Sequence, residues 1–358
     1  MKIVLGMSGG VDSTMCALML LEQGHEVIGV TMAKWSPSSK VTCSDKRGCF
    51  GPSEPQAVAS AVKLAKELGI EHHIIDLEME FAETVLDYYV RTYIAGKTPN
   101  PCVICNRHIK FGAMLQKARA LGVDYDRFAT GHYAQISHDE ASSRWLLRKA
   151  VDSSKDQSYF LSMLSQEQLA QTLFPLGGIK KSQIRQFAQS KGYDYLVKKK
   201  ESQDFLESND NSSLFADYSI EPGDFVDQDL KVLGRHRGLI HYTIGQRKGL
   251  GLAGFSEAQY VIGLDEKTNR VIIGPESALY SDSLWAVGLN WISISEPEST
   301  LDCTAKIRLA GNPNPCTIQK MGDCSYYVKF RKPISAITPG QVIAFYHDDL
   351  VLGAGFIV

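Results

Sequence analysis

Residues 1–14 read MKIVLGMSGGVDST, an apolar strand that runs into a glycine-rich turn and then into an apolar helix. Ile3, Val4 and Leu5 are a short run of the buried-strand type, and Met15, Leu18, Met19 and Leu21 then recur at helical spacing. Between them, glycines free the backbone to turn and two serines supply hydroxyls. A loop of this kind at a helix N-terminus presents several N–H groups and the positive end of the helix dipole, so it binds phosphate. The expected cradle is Gly6, Met7, Ser8, Gly9, Gly10, Val11, Asp12 and Ser13. It is neither a Walker A loop, since no Gly-Lys-Ser/Thr closes it, nor a G-x-G-x-x-G dinucleotide turn.

Outward from the loop, strands alternate with helices through the first 135 residues. Strands are expected at 25–32, 71–77 and 127–130, and helices at 55–68, 81–95 and 109–121. This alternation predicts an α/β fold with a doubly wound parallel sheet, in which ligands sit beyond the carboxyl ends of the strands. The glycine loop, Met32 and Thr130-Gly131-His132 all follow strands and can meet there. Residues 158–196 read as polar helix, and 198–219 as a connecting segment rich in Ser, Asn and Asp. From Gly223 onward, short β runs punctuated by glycine predict a barrel-like all-β region. The expected division is 1–160, 161–222 as a central helical and connecting region, and 223–358.

Composition sets bounds without naming a function. The chain has 358 residues, 44% hydrophobic and 22% charged, as an ordinary globular protein does. No stretch approaches the roughly 20 apolar residues of a membrane span. With no basic, apolar leader, a cytoplasmic location is expected and a membrane partner is not. The formal charge of −2 does not announce a nucleic acid, so contact with one would need local basic groups. Candidates are Lys180-Lys181, Lys198-Lys199-Lys200, Arg235 with Arg237, and Arg247-Lys248, each more often a solvated face. Of eight cysteines, Cys16 reads as core, and Cys303, Cys316 and Cys324 carry no assigned chemistry. Cys102 and Cys105 stand in C-x-x-C spacing within KTPNPCVICNRHIKF (97–111), before a helix. A helix N-terminus stabilises a thiolate, so one of the two is expected to be reactive. Half a zinc site, a redox pair and a sulfur nucleophile all remain open on spacing alone.

The motifs taken together point further. The loop resembles the PP-loop of the ATP-pyrophosphatase superfamily, which cleaves ATP between its α- and β-phosphates. SGGVDS, TGHYA (130–134), KDQSYFL (155–161) and YTIGQRKGLGL (242–252), in that order, resemble the tRNA-specific 2-thiouridylase family over nearly the whole chain. The resemblance implies an adenine-nucleotide α-hydrolase-like domain, a small central domain and a β-barrel-like domain. It implies ATP and Mg²⁺ as cofactors, with Asp12 holding the ion and Met32 and Gly131 bracketing the adenosine. Cys105 matches the family's nucleophile. Lys155, Asp156, Gln157 and Arg308 match tRNA-contacting positions, and the anticodon loop of tRNA would have to open to present its wobble uridine. The sulfur would come from a donor protein or sulfide.

One departure stands out. The family carries a second cysteine in a segment like ESQ-x-x-CF, but here Glu201-Ser202-Gln203-Asp204-Phe205-Leu206-Glu207 places Leu206 there. Cys102 is an additional thiol three positions before Cys105, and Cys43 and Cys49 lie in an insertion, CSDKRGCFGPSE, after the second strand. Cys49, Cys102 and Cys105 could supply three thiolates to a [4Fe–4S] cluster; with Cys43 they could form a zinc site; or Cys102 and Cys105 could relay a persulfide. A PP-loop amide or amidine ligase and an inactive tRNA-binding relative are the alternatives in function.

Overall fold

Ile3, Val4 and Leu5 are completely buried because β1 (Lys2–Gly6) occupies the middle of its sheet. The computed structural model describes residues 1–37, 41, 48–199, 204–208 and 210–358. The next strands are β2 (Glu26–Ala33), β3 (Gly48–Phe50), β4 (Glu71–Asp76) and β5 (Arg127–Thr130). A hairpin, β6 (Ala134–Asp139) and β7 (Arg144–Lys149), and two short strands, β8 (Thr172–Leu173) and β9 (Asp204–Leu206), follow. The first sheet has the order β4-β2-β1-β5-β8 and every pairing in it is parallel, as expected. Its helices are Val11–Glu22, Glu54–Leu68 and two long composite helices spanning 78–94 and 101–120.

Both composite helices start earlier than periodicity suggested. For the second, the reason is local: Pro101 takes the first helical position, where it needs no N–H partner, and the Asn100 side chain accepts from Val103 N at 3.4 Å. The middle of this helix, Cys105–Ala113, is wound in the wider π form. The β6–β7 hairpin was not anticipated, because its alternation (Ala134, Ile136; Trp145, Leu147) is short and sits between stronger motifs.

The hairpin's partner lies far along the chain. Strands β10 (Gly223–Val226), β11 (Val232–His236), β12 (Gln259–Asp265) and β13 (Arg270–Pro275) make a four-stranded sheet in the order β11-β10-β13-β12. Strands β14 (Tyr280–Trp291), β15 (Leu301–Lys306), β16 (Asn314–Lys320), β17 (Ser325–Ser335), β18 (Val342–His347) and β19 (Leu350–Ile357) then form an antiparallel barrel. The barrel closes through the β14–β19 pairing, and β7 adds to β19 from outside. One apolar core therefore continues from Val4 and Phe128 to Val342, Tyr346 and Ala354.

Gly177 shows how tightly the hairpin base is packed. A Cβ there would lie 1.7 Å from the Ala134 carbonyl oxygen, whereas one on Gly178 would meet nothing within 4 Å. Gly177→Ala should destabilise the fold by about 2–3 kcal/mol, as overpacking does, and Gly178→Ala by less than about 0.5 kcal/mol. Chemical denaturation of the two variants checks this; equal effects would contradict the packing.

Candidate nucleotide and thiol site

The phosphate loop leaves β1 at Gly6 and is shaped by its neighbours. Gly9 has φ +70°, and a Cβ on it would come within 2.9 Å of the Ala57 carbonyl, so no other residue fits without moving the helix Glu54–Leu68. Inside the loop, Ser8 N donates to Ser13 Oγ at 3.3 Å, and the Ser13 and Thr14 hydroxyls donate to the Gly10 carbonyl. From the next strand, Thr31 Oγ1 donates to the Met7 carbonyl at 2.8 Å. Gly131 comes so close that its Cβ would lie 3.1 Å from Ser13 N.

A cavity of about 210 Å³ opens at this junction. Of the expected nucleotide residues, Gly6, Met7, Ser8, Asp12, Ser13, Met32 and Gly131 line it; Gly9, Gly10 and Val11 shape the turn behind. Val30, Lys110, Met114, Thr130, His132 and Gln157 complete the wall; Thr130 and His132 were expected at this edge and Gln157 as a tRNA contact, whereas Val30, Lys110 and Met114 were not singled out, although Lys110 lies in the IKF string. His132 bonds through Nδ1 to Thr130 Oγ1 at 2.7 Å and through Nε2 to Lys110 Nζ at 3.4 Å. Burial, and secondarily the Lys110 charge, hold its pKa well below the usual imidazole value. The ring is therefore neutral at pH 7, with Nε2 accepting from Lys110 and Nδ1–H donating to Thr130.

Asp12, expected to hold the Mg²⁺, is engaged by side chains of the chain itself. Both carboxylate oxygens accept from Lys181 Nζ, at 2.7 and 2.6 Å, and Oδ1 also accepts from Tyr133 OH at 2.8 Å. Three of about four lone-pair directions are thus taken, which leaves room for at most one metal bond. Lys181, read from sequence as part of a basic surface pair, is only 4% exposed.

The thiols gather about the first turns of the helix 101–120. Cys102 is half-buried, Cys105 is 9% exposed and Cys49 is exposed on β3. Strand β3 pairs in parallel with β9, so Phe50 faces Leu206 and Cys49 Sγ lies 3.6 Å from the Phe205 carbonyl. Leu206 itself is buried in the core. Aromatic rings seat this pair of strands: Phe50 stacks on Phe81 at 5.1 Å, and Tyr89 packs tilted against Phe205 at 5.2 Å. Glu207 fixes the end of β9 by accepting from Ser53 N at 2.9 Å and from the Ser53 hydroxyl.

The expectation of a helix-stabilised thiolate needs correction. Burial pushes the Cys105 thiol up to about 11, with Lys110 and Lys34 pulling down and Cys49 and Glu54 pushing up. Burial also raises Cys102, and the nearby Cys49 and Cys105 add to it. Desolvation is the largest effect on both thiols. Among the described residues, no group of three or more His, Cys, Asp or Glu side chains is arranged to hold a metal ion. Cys43, Lys200, Glu201, Ser202 and Gln203 lie outside the described residues. Cys16 packs in the core as expected. Cys303 and Cys316 face each other across β15 and β16 with sulfurs 3.7 Å apart.

The expected tRNA positions are divided. Asp156 turns inward, accepting from Ala150 N and from the Ser158 backbone and hydroxyl. Gln157 accepts from Tyr133 N at 2.9 Å and lines the cavity. Lys155 is half-buried in the same turn, and Arg308 is exposed just beyond β15. Lys306, at the end of that strand, has its ammonium pKa lowered by burial, with Asp156 opposing and Lys149 adding to the effect. The barrel edge and the 149–156 turn therefore adjoin.

A parallel sheet ending in an SGG-x-DS cradle, followed by two β modules, defines a protein of the PP-loop class. Residues 1–206 match the model of the tRNA methyl transferase HUP domain, 214–275 the tRNA methyl transferase PRC-barrel domain, and 281–357 the aminomethyltransferase beta-barrel domain. A tRNA-specific 2-thiouridylase of Acetivibrio thermocellus is 43% identical, covering 99% of both chains. One of Thermoanaerobacter sp. is 44% identical over 99% of this chain and 97% of its own, and one of Heliobacterium modesticaldum 44% identical over 99% and 92%. The chain belongs to the tRNA-specific 2-thiouridylase family. Among the described residues no helix is long and apolar enough to cross a membrane.

A raised thiol pKa has a direct readout. The Cys105 thiolate fraction should rise about tenfold per pH unit below its pKa, so alkylation of Cys105 should accelerate roughly a hundredfold from pH 7 to pH 9. Peptide mass spectrometry after timed iodoacetamide pulses measures it. A plateau below pH 8 would show that the helix end and the lysines prevail over burial.

Proposed function

We propose that this chain binds ATP with Mg²⁺, adenylates the C2 oxygen of a tRNA wobble uridine, and replaces that oxygen with sulfur carried on its cysteines. One observation carries the reading. Lys110 and Met114 line the cavity beside the phosphate loop, and Cys105 starts the π segment of the same helix, five residues before Lys110. Five residues of helix rise by no more than about 7.5 Å even at the α-helical spacing of about 1.5 Å per residue, a separation that one substrate base can span.

The chemistry balances with these groups. Uracil O2 attacks the α-phosphorus, the α–β bridging bond breaks and pyrophosphate leaves. A terminal sulfur on Cys105, delivered as a persulfide by a sulfur donor protein or from sulfide with an oxidant, attacks C2 and expels AMP. The Cys102 thiolate then attacks Cys105 Sγ, which breaks the S–S bond. It leaves 2-thiouridine and a Cys102–Cys105 disulfide that a dithiol reductant restores. Cys49, exposed and bearing electrostatically on both other thiols, is the entry point for sulfur. The matched models are named for methyl transfer and the relatives for thiolation; a triphosphate cradle beside three thiols favours sulfur. Lys155, Lys306 and Arg308, where barrel and turn adjoin, are the proposed tRNA contacts, as phosphate-positioning groups.

An iron–sulfur cluster on Cys49, Cys102 and Cys105 is the second reading, favoured by the loss of the family's second cysteine at Leu206. The described residues are not arranged as a ligand set, so no step is drawn through it. Mg²⁺ fits as one further contact at Asp12.

The test uses the purified chain with ATP, Mg²⁺, a persulfide source and unmodified tRNA. Cys105→Ser and Cys102→Ser should retain tRNA-dependent pyrophosphate release and lose 2-thiouridine by more than a hundredfold. Thiolation at the wild-type rate by Cys105→Ser would reject the route. About four iron atoms per anaerobically purified chain, lost in Cys49→Ala, Cys102→Ala and Cys105→Ala alike, would replace the relay by the cluster.

A further inference from the structure

The phosphate loop carries one acidic side chain, Asp12, on the wall of the cavity. Left alone, a carboxylate there would repel a triphosphate. Its partner comes from outside every recognised motif. Lys181 opens the helix Lys181–Ser190, 169 residues away in sequence, and its Nζ lies 2.7 and 2.6 Å from the two carboxylate oxygens. The lysine is fixed at both ends. Its backbone N donates to Asp152 Oδ2 at 2.9 Å, and its ammonium sits 5.5 Å over the ring of Tyr133, whose hydroxyl holds the same Asp12.

Packing alone does not account for a lysine here. On the same helix Ile184 and Ala188 fill the interface with the first helix, as apolar side chains do. A buried ammonium carries a desolvation cost that an apolar residue would not, and the ion pair offsets that cost only with close geometry. The bidentate contact supplies it. Among the described residues, the cations left at the cradle with Asp12 neutralised are Lys110 on the cavity wall and Lys199, whose Nζ is 3.1 Å from the Gly9 carbonyl.

We propose that Lys181 is a positioning residue for nucleotide binding: it holds Asp12 in one rotamer and cancels its charge, so that the cradle accepts a triphosphate. The proposal rests on the reading that the cavity is an ATP site, and the experiment separates the two. ATP and adenosine binding to the full chain are measured by calorimetry in EDTA, so that Mg²⁺ ligation by Asp12 does not enter. The variants are Lys181→Met, Lys181→Arg and the doubly neutral Asp12→Asn/Lys181→Met.

Lys181→Met should weaken ATP at least tenfold and change adenosine by less than about twofold, because only the phosphates meet the uncancelled carboxylate. Lys181→Arg should stay within threefold of wild type for both ligands. The double variant removes both charges with near-isosteric groups and should recover ATP binding to within threefold of wild type. It also remains informative if the single variant does not fold. Equal weakening of ATP and adenosine, or no recovery in the double variant, would overturn the proposal. Wild-type protein that binds neither ligand would overturn the ATP reading itself.

Discussion

The carbonyl end of β1 decides where chemistry can occur in this molecule. Because β1 runs in parallel register between β2 and β5, Gly6 lies beside Val30 on one side and Thr130 on the other. Three strand ends, and the loops that leave them, are thereby brought to one edge. The phosphate loop follows the first, Met32 belongs to the second, and Gly131 with His132 follows the third. A one-residue slip would exchange the faces of Val4 on one side with Ile3 and Leu5 on the other, and would also separate Gly131 from Ser13. The apolar register and the ligand site are the same constraint.

On the thiol side the controlling term is desolvation. Cys105 begins a π-wound stretch whose inward face includes Cys105, Asn106, Ile109 and Phe111. Core packing holds the thiol there and keeps it protonated, with Lys110 and Lys34 as the opposing charges. Lys34 is itself paired with Glu54 in the interior, and the Glu54 carboxylate also accepts from the backbone N of Lys34 and Trp35. Burying a nucleophile protects it from adventitious oxidation. The same burial means that the reactive form must be generated when substrate and sulfur arrive.

The sequence carried those features that depend on neighbours along the chain. The glycine loop, the parallel strands at Glu26–Ala33 and Arg127–Thr130, and the late β runs are local patterns, and they were legible. Features that depend on tertiary neighbours were not. Nothing in KSQIRQFAQS separates Lys181 from a solvated lysine until the helix is docked on Asp12. Strand β9 finds β3 across more than 150 residues of chain, so Leu206 read as a lost cysteine before it could be seen as core lying one strand away from Cys49. Asp156 and Gln157 read as outward polar groups because the motif gives residue types, not directions. A helix dipole at Cys102 and Cys105 can be inferred from spacing, whereas the burial that raises both thiols cannot.

The three modules meet on the residues just before the thiols, and this explains why one chain carries them all. From the barrel, Gln341 Nε2 donates to the carbonyls of Thr98 and Pro99, and its Oε1 accepts from Asn100 Nδ2 at 3.4 Å. The Pro339 carbonyl accepts from Thr98 N at 2.9 Å. Gly340 passes so close, with φ +88°, that a Cβ would lie 2.7 Å from the Thr98 carbonyl. From the small central sheet's own motif, Thr243 receives the Thr98 hydroxyl at 3.5 Å. From the first domain, Tyr88 OH accepts from Asn100 N at 3.0 Å. Asn100 is in turn the cap of the helix that carries Cys102 and Cys105. Loops ordinarily hold their geometry poorly, and a group on a loop must be gripped from several sides to stay within catalytic tolerance. Here the grip is distributed over all three modules, so a macromolecule that shifts the barrel against the sheet must also move the start of the thiol helix.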